Sequence, residues 1–566
     1  MGLIAHSESG EAQIASFLAE DGAFPHDAIF TTFLSRARHA STRVAFHDPD
    51  SVGSPTFDQF VADIIHLRHR LRKELLDHLD SHGILKTALP VCVLSAANYE
   101  FAVAALAILA LGGLVVPLPM AQSSDFVSHV LRKAPVRCLL ASKKCISQAK
   151  EARTFAATNS LPHINVLPIE PMNKCPSSLW TIDELEINKD IFIPESRPGI
   201  VMFTSGTTGS PKGVIHSRAW FAIIAKRPQA PDDEATLVTR PASWMGGSFP
   251  LMIAVLTASR SEIMDPMATA EETWERIRVH GLTYILSGCG WYEQLVRFYK
   301  GSIENSPRKQ EYLHAISKVR TALIGASVPV PSLLAILREE FKLPLQLIYG
   351  ASEIGCMVMG TSKQEIVKGD RCLGKQLLSD MPLKLFGGKE GELLVGGLQT
   401  FLGYLNDEPT TDGLFDEEGY YRTGDIAHQE GIYYFFDGRG AIDFIKTAGG
   451  RVPVIELEEV TRKFDYLKEA YVVPVKDRTI GTRVGLLVKP RKGTVSLKTI
   501  RGDLASRVPN FMLPNAFRLM SDEEQAPRTP SDKVAKKKLI EDFFPYSEEN
   551  GLPRTVELWD LSCSEQ

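Results

Sequence analysis

The sequence predicts an α/β protein: a large N-terminal domain of mostly parallel sheet, a small antiparallel β unit, and a small α+β C-terminal domain. Three observations predict it. Buried-looking apolar strands alternate with helical stretches through the first two thirds of the 566 residues, the pattern of parallel sheets covered on both faces. After about residue 380 short apolar runs are punctuated by Gly and Asp, as in antiparallel hairpins. A Gly-dense charged stretch at 437–453 then reads as a hinge.

The elements follow in order. Residues 1 to about 30 show no period and are expected to wrap the surface. Phe57 to Leu79 carry apolar residues at helical spacing among Lys, Arg, Asp and His, predicting an amphipathic helix. Ala88 to Ser95 predicts a buried strand. Phe101 to Met120 is long and apolar enough to imitate a membrane span, but Gly112 and Gly113 divide it. We therefore expect a buried helix, a turn and a buried strand there, and no span. Further strands are expected at Val136–Ala141, Ile200–Phe203, Tyr284–Leu286, Ala322–Ile324 and Leu345–Ile348, with the antiparallel runs at Leu383–Phe386, Glu392–Val395 and Ile432–Phe436. The expected domains are 1–438, with a β-rich part at about 380–438, and 439–566.

Composition narrows the function classes. Lys and Arg total 63 against 68 Asp and Glu, a formal charge of −5. So balanced a chain offers no global attraction to nucleic acid or to anionic membrane. The eight cysteines include no Cys-x-x-Cys pair, and reduced thiols are expected. The N-terminus lacks a basic segment followed by an apolar one, and the C-terminus Cys-Ser-Glu-Gln is not Ser-Lys-Leu. The expectation is a cytoplasmic protein.

The strongest local signal is Thr204 to Gly213, TSGTTGSPKG. Glycine lets backbone approach a ligand, consecutive N–H groups form an anion nest, hydroxyls add donors, and Lys212 adds a compact charge. Together they make a phosphate cradle. It is not a Walker A loop, because Pro211 precedes the lysine and Gly213 follows it. Composition alone equally allows a flexible surface loop.

The rest of the chain decides between these. TSGTTGSPKG resembles the signature of the adenylate-forming superfamily, which holds acyl-CoA synthetases, non-ribosomal adenylation domains and beetle luciferases. YGASEIG at Tyr349–Gly355, YRTGD at Tyr421–Asp425, Asp437-Gly438-Arg439 and PRTPSDKVAKKKL at Pro527–Leu539 resemble its other motifs, in the family's order. Ser352 stands where Thr is commoner. Asp532 stands where Gly precedes the terminal lysine, and the spacing from Arg439 to Lys446 is slightly long.

The resemblance implies two half-reactions: a carboxylic acid and Mg·ATP give acyl-AMP and pyrophosphate, then a thiol takes the acyl group and releases AMP. It implies ATP, Mg²⁺ and CoA as cofactor and co-substrates. Thr204, Ser205, Gly206, Thr207, Thr208, Gly209 and Lys212 would hold the β- and γ-phosphates, with Lys212 counted as catalytic too. Tyr349, beside Gly350, would stack on adenine; Ser352 would bond the α-phosphate; Glu353 would hold the metal, as a hard oxygen ligand suits Mg²⁺. Asp425 would accept both ribose hydroxyls, and Arg439 would contact ribose or phosphate. Lys533 would bridge carboxylate and α-phosphate, and Lys446 would serve the thioester step. The acyl group would meet Trp244, Met245, Gly246, Gly325 and Ala326, a wall suited to a hydrophobic acid. No Phe-Asp pair follows the 241–247 stretch, which favours a plain carboxylic acid over an amino acid. No carrier-type helix start follows the lysine motif, so CoA or a phosphopantetheine carrier protein would arrive in trans. Loading a carrier protein is the alternative function, and an inactive nucleotide-binding scaffold is a second.

Overall fold

The computed structural model describes residues 22–49, 53–118, 124–170, 182–204, 212–362, 365, 371–439, 444–447, 450–478, 480–528, 534–549 and 551–560. A seven-stranded sheet runs, edge to edge, through Phe401–Tyr404, Gly213–Ser217, Pro198–Phe203, Leu114–Leu118, Pro90–Leu94, Cys138–Ala141 and Asn165–Pro168. The last five strands are parallel, whereas Pro198–Phe203, Gly213–Ser217 and Phe401–Tyr404 pair antiparallel. The phosphate-loop candidate is therefore a connection between two antiparallel strands, with Phe203 opposite Gly213. The strand Gly213–Ser217 was not foreseen. Its five residues are too few for a period to show.

The Ala/Leu-rich segment behaves as its composition requires. Tyr99–Ala110 is a helix, capped by Asn98 accepting from Phe101 N–H, with all but one residue buried. Gly112 turns the chain at φ +73°, where a Cβ would be strained. Leu114–Leu118 then enters the sheet interior. Burying each Leu or Val there contributes about 1.5–3 kcal/mol before entropy costs. Among the described residues no helix is long and apolar enough to cross a membrane. The Phe57–Glu74 helix stops short of Leu79, because the chain tightens into a 3₁₀ turn at Leu76–His78.

A second sheet has twelve strands. Phe46–His47, Arg260–Ile263, Ala235–Val238, Tyr284–Gly288, Thr321–Gly325 and Leu345–Tyr349 are parallel. Met359–Gly360 then reverses the direction, and Cys372–Gln376, Tyr433–Arg439, Tyr421–Glu430, Glu390–Val395 and Leu383–Phe386 follow antiparallel. The antiparallel strands are thus joined edge-on to the parallel sheet, so Tyr349 and Asp425 belong to one continuous plate.

The small C-terminal domain packs the helices Val454–Arg462, Leu497–Ala505 and Lys536–Phe543 on a four-stranded sheet. Its two cores include Val472, Leu486, Leu504 on one side and Val473, Leu487, Leu539 on the other. The hairpin Phe444–Thr447/Gly450–Pro453 contributes Ile445 and Val452 to the first of these. An Arg371–Glu459 ion pair of 2.9 Å ties the Val454–Arg462 helix to the start of the strand Cys372–Gln376. The six described cysteines form no disulfide.

Candidate active site

Several of the sequence-predicted residues lie at or just beyond the carboxyl ends of parallel strands. Open α/β sheets bind ligands there, because the connecting loops converge while the strands hold them rigidly. Thr204 follows the strand Pro198–Phe203, Gly325–Ala326 ends Thr321–Gly325, and Tyr349–Glu353 continues from Leu345–Tyr349. Trp244 opens the helix Met245–Thr257 beyond the strand Ala235–Val238. One bond ties two of these segments: Phe203 N–H donates to Ser243 O at 2.8 Å.

The ends of the candidate phosphate loop are clamped. Thr204 N–H donates to Lys212 O at 3.0 Å, and Lys212 N–H donates to Thr204 Oγ1 at 3.2 Å. The Lys212 ammonium lies 4.9 Å from the centre of the Tyr404 ring, within cation–π range. On the same tyrosine, Oη donates to Glu353 Oε1 at 2.6 Å. Burial, then the charge of Glu353, hold the Tyr404 hydroxyl far above the ordinary phenol range, so it stays a donor at any working pH. Tyr404 thus stands between the loop lysine and the candidate metal carboxylate.

The two residues expected on the nucleoside side also touch. Tyr349 Oη donates to Asp425 Oδ2 at 2.6 Å. Asp425 is 4 % exposed and sits opposite Arg439 in the Tyr421–Glu430/Tyr433–Arg439 ladder. Gly350 has no room for a side chain: a Cβ would stand 2.2 Å from Cys356 O. Gly350 is itself exposed, so a flat ligand can approach this segment without meeting a projecting group. Removing the Tyr349 hydroxyl should cost Asp425 a donor while sparing the ring. For Tyr349→Phe we expect KM for ATP to rise roughly 10-fold, as for loss of one bond to a carboxylate, with kcat within about two-fold. The ATP dependence of acid-dependent pyrophosphate exchange checks this.

At the acyl end, Trp244, Met245 and Gly246 are half-buried, and Met245 packs against the main core. Ala326 is exposed and left-handed at φ +67°, the conformation that turns the chain out of its strand. Cys289 Sγ–H donates to Ser327 O at 3.2 Å, bracing that turn. Ser205, Gly206, Thr207, Thr208, Gly209 and Lys533 lie outside the described residues. Lys446 is placed on the small-domain hairpin, opposite Arg451.

Reading the sequence missed Tyr404, His216 and Thr400. His216 and Thr400 bond across 184 residues of chain, and only strand pairing brings them together. The short apolar FLGY run at 401–404 is the one local trace of that strand, and it carries no information on its partner.

Residues 66–405 match the model of the AMP-binding enzyme family. The chain belongs to that family. This AMP-binding enzyme is 29% identical over 527 residues to acyl-CoA ligase oryP of Aspergillus oryzae, covering 92% of this chain and 93% of that protein. It is 27% identical over 395 residues to the mitochondrial malonate–CoA ligase ACSF3 of Mus musculus, covering 62% and 65%. Its fold matches that of o-succinylbenzoate coenzyme A synthetase (MenE) of Bacillus subtilis, a structure in complex with ATP and magnesium ion. That match has a TM-score of 0.71 and 20% identity, covering 90% of this chain and 98% of that one.

Proposed function

We propose that this AMP-binding enzyme is an AMP-forming acid–CoA ligase, acting on a hydrophobic carboxylic acid. The acid's carboxylate oxygen attacks the α-phosphorus of ATP; the bond to the β-phosphate oxygen breaks, and pyrophosphate leaves with its electrons. The acyl-AMP carbonyl is then attacked by the CoA thiolate, and AMP leaves as thioester forms. A carboxylate is a poor electrophile, and attachment to AMP gives it a good leaving group.

The single observation that carries the reading is the arrangement of Tyr349–Asp425 beside Glu353–Tyr404–Lys212 at the ends of two sheets. In-line phosphoryl transfer asks a protein mainly for positioning and charge. Tyr349 and Asp425 take the adenine and ribose. Lys212 and the 204–212 loop take the outgoing phosphates, with Ser352 at the α-phosphate. The donor set at Glu353 suits Mg²⁺: a carboxylate has two oxygens, and the Tyr404 hydroxyl orients it through Oε1. When bound, Mg²⁺ neutralises phosphate charge. Trp244, Met245, Gly246, Gly325 and Ala326 line the acid. Lys533 and Arg439 act on the reacting oxygens and the ribose, and Lys446 on the thioester step. We place the domain boundary between residues 438 and 439, and the protein in the cytoplasm. The carrier-loading reading differs only in the thiol donor, a phosphopantetheine protein arriving in trans.

A carboxylic-acid panel with ATP, run with CoA and without, tests this. We expect AMP and pyrophosphate, dependent on acid, and a CoA thioester when CoA is present. ADP as the product would overturn the reading. Acyl-AMP formation without CoA thioester would favour the carrier-loading alternative. No turnover with any acid would favour a scaffold.

A further inference from the structure

We propose that His216 is a positioning residue for adenylation, fixing the Ser352–Glu353 peptide so that the Glu353 carboxylate is set for metal and phosphate. The proposal rests on the function argued above. It also assigns a task to a side chain that no motif includes.

His216 is 0 % exposed and lies on Gly213–Ser217, the strand that returns from the phosphate loop. Its Nε2 is 2.7 Å from Ser352 O, and its Nδ1 is 3.0 Å from Thr400 Oγ1. A carbonyl oxygen can only accept, so Nε2 carries the hydrogen. Burial lowers the imidazole pKa to about 4, so the ring is neutral at working pH. Nδ1 therefore accepts from the Thr400 hydroxyl, which completes the assignment of both ring nitrogens.

The consequence runs through the peptide plane. Ser352 C=O and Glu353 N–H belong to one planar unit, so a bond that holds the oxygen also orients the start of Glu353. The far end of Glu353 is held by Tyr404. Both supports come from paired strands: Phe401 lies opposite His216, and Tyr404 lies opposite Val214. The turn below is packed closely as well. Gly355 has φ +75°, and a Cβ there would stand 2.7 Å from His216 Cε1. Trp220 Nε1–H donates to Gly355 O at 2.6 Å. One strand thus carries Lys212 at its entry and the support of Glu353 four residues on, coupling phosphate contact to metal placement.

The test uses the full-length enzyme with His216→Leu, which removes both ring bonds, and His216→Gln, whose amide can donate to Ser352 O. Three readouts are needed: acid-dependent ATP–pyrophosphate exchange against Mg²⁺ concentration, thioester formation from supplied acyl-AMP and CoA, and Mg²⁺-dependent ATP binding. For His216→Leu we expect exchange to fall and the half-saturating Mg²⁺ to rise, each about 10- to 100-fold, as for a misplaced catalytic group. Thioester formation should change less than about two-fold, because that half-reaction does not use the Glu353–phosphate contact. His216→Gln should recover most of the exchange. Equal loss in both half-reactions with an unchanged Mg²⁺ requirement would overturn the proposal and leave His216 as a packing residue. If His216→Leu does not fold, Thr400→Val keeps the ring but removes the donor to Nδ1. It should shift the Mg²⁺ requirement in the same direction by a few-fold, and no shift would be the overturning result. If the unaltered enzyme exchanges pyrophosphate with no acid, the ligase reading fails separately. The Mg²⁺ dependence of ATP binding then decides on His216 alone, and an unchanged dependence in the variant would overturn it.

Discussion

Glu353→Gln is expected to lower acid-dependent ATP–pyrophosphate exchange by about 10²- to 10³-fold, the range seen when one charge-stabilising group is removed from an active site. The substitution keeps the shape, and the amide oxygen can still accept from the Tyr404 hydroxyl, which is 2.6 Å from Oε1 in the native enzyme. What it removes is the negative charge that would hold Mg²⁺ against the phosphates. Raising Mg²⁺ should restore part of the rate, and thermal stability should stay close to native. Acyl transfer from supplied acyl-AMP should be nearly unaffected. A native-like exchange rate at low Mg²⁺ would remove Glu353 from the metal site.

The second large effect is expected at Lys533. Its place in the Pro527–Leu539 motif, by the family resemblance, implies a cation where the attacking carboxylate and the α-phosphate, both negative, would approach. Their mutual repulsion is the barrier that such a charge lowers, and a water-poor site strengthens its effect. Lys533→Ala should therefore depress exchange by at least about 10²-fold, while thioester formation from supplied acyl-AMP survives. Radiolabelled pyrophosphate exchange and a coupled thioester assay, run on the same preparation, check both halves. Equal loss in the two assays would contradict the assigned role.

These two expectations draw on different sources. The Lys533 expectation comes from a motif alone, whereas the charge environment of Glu353 needed the fold. Much of the architecture was legible in the chain itself. Strands such as Pro90–Leu94 and Leu114–Leu118 are buried on both faces, so they read as continuous apolar runs. Gly112 marked its turn because a left-handed φ is required there. Tyr349 and Asp425 were each singled out through their motifs.

Their contact was not legible, nor was the plate that joins them. Met359–Gly360, the strand that splices the antiparallel part onto the parallel part, is two residues long, too short to leave a pattern. Gly213–Ser217 was missed for a related reason: its identity as a strand comes from neighbours on both sides, one of them Phe401–Tyr404. His216, Thr400 and Tyr404 make their contacts with each other and with the Ser352–Glu353 segment only through that pairing. Motifs record groups that meet the ligand, while the residues behind them are recorded in strand register.

The division of labour between the two sheets has a consequence for the order of events. The residues proposed for base and sugar belong to the twelve-stranded sheet, and the strands flanking the proposed phosphate loop belong to the seven-stranded one. Intact nucleotide would therefore act as a tie-rod across the seam. On the proposed assignments, once pyrophosphate departs the adenylate would keep its anchorage on one side alone, and the seam would be relieved of that tension when the second reactant must enter.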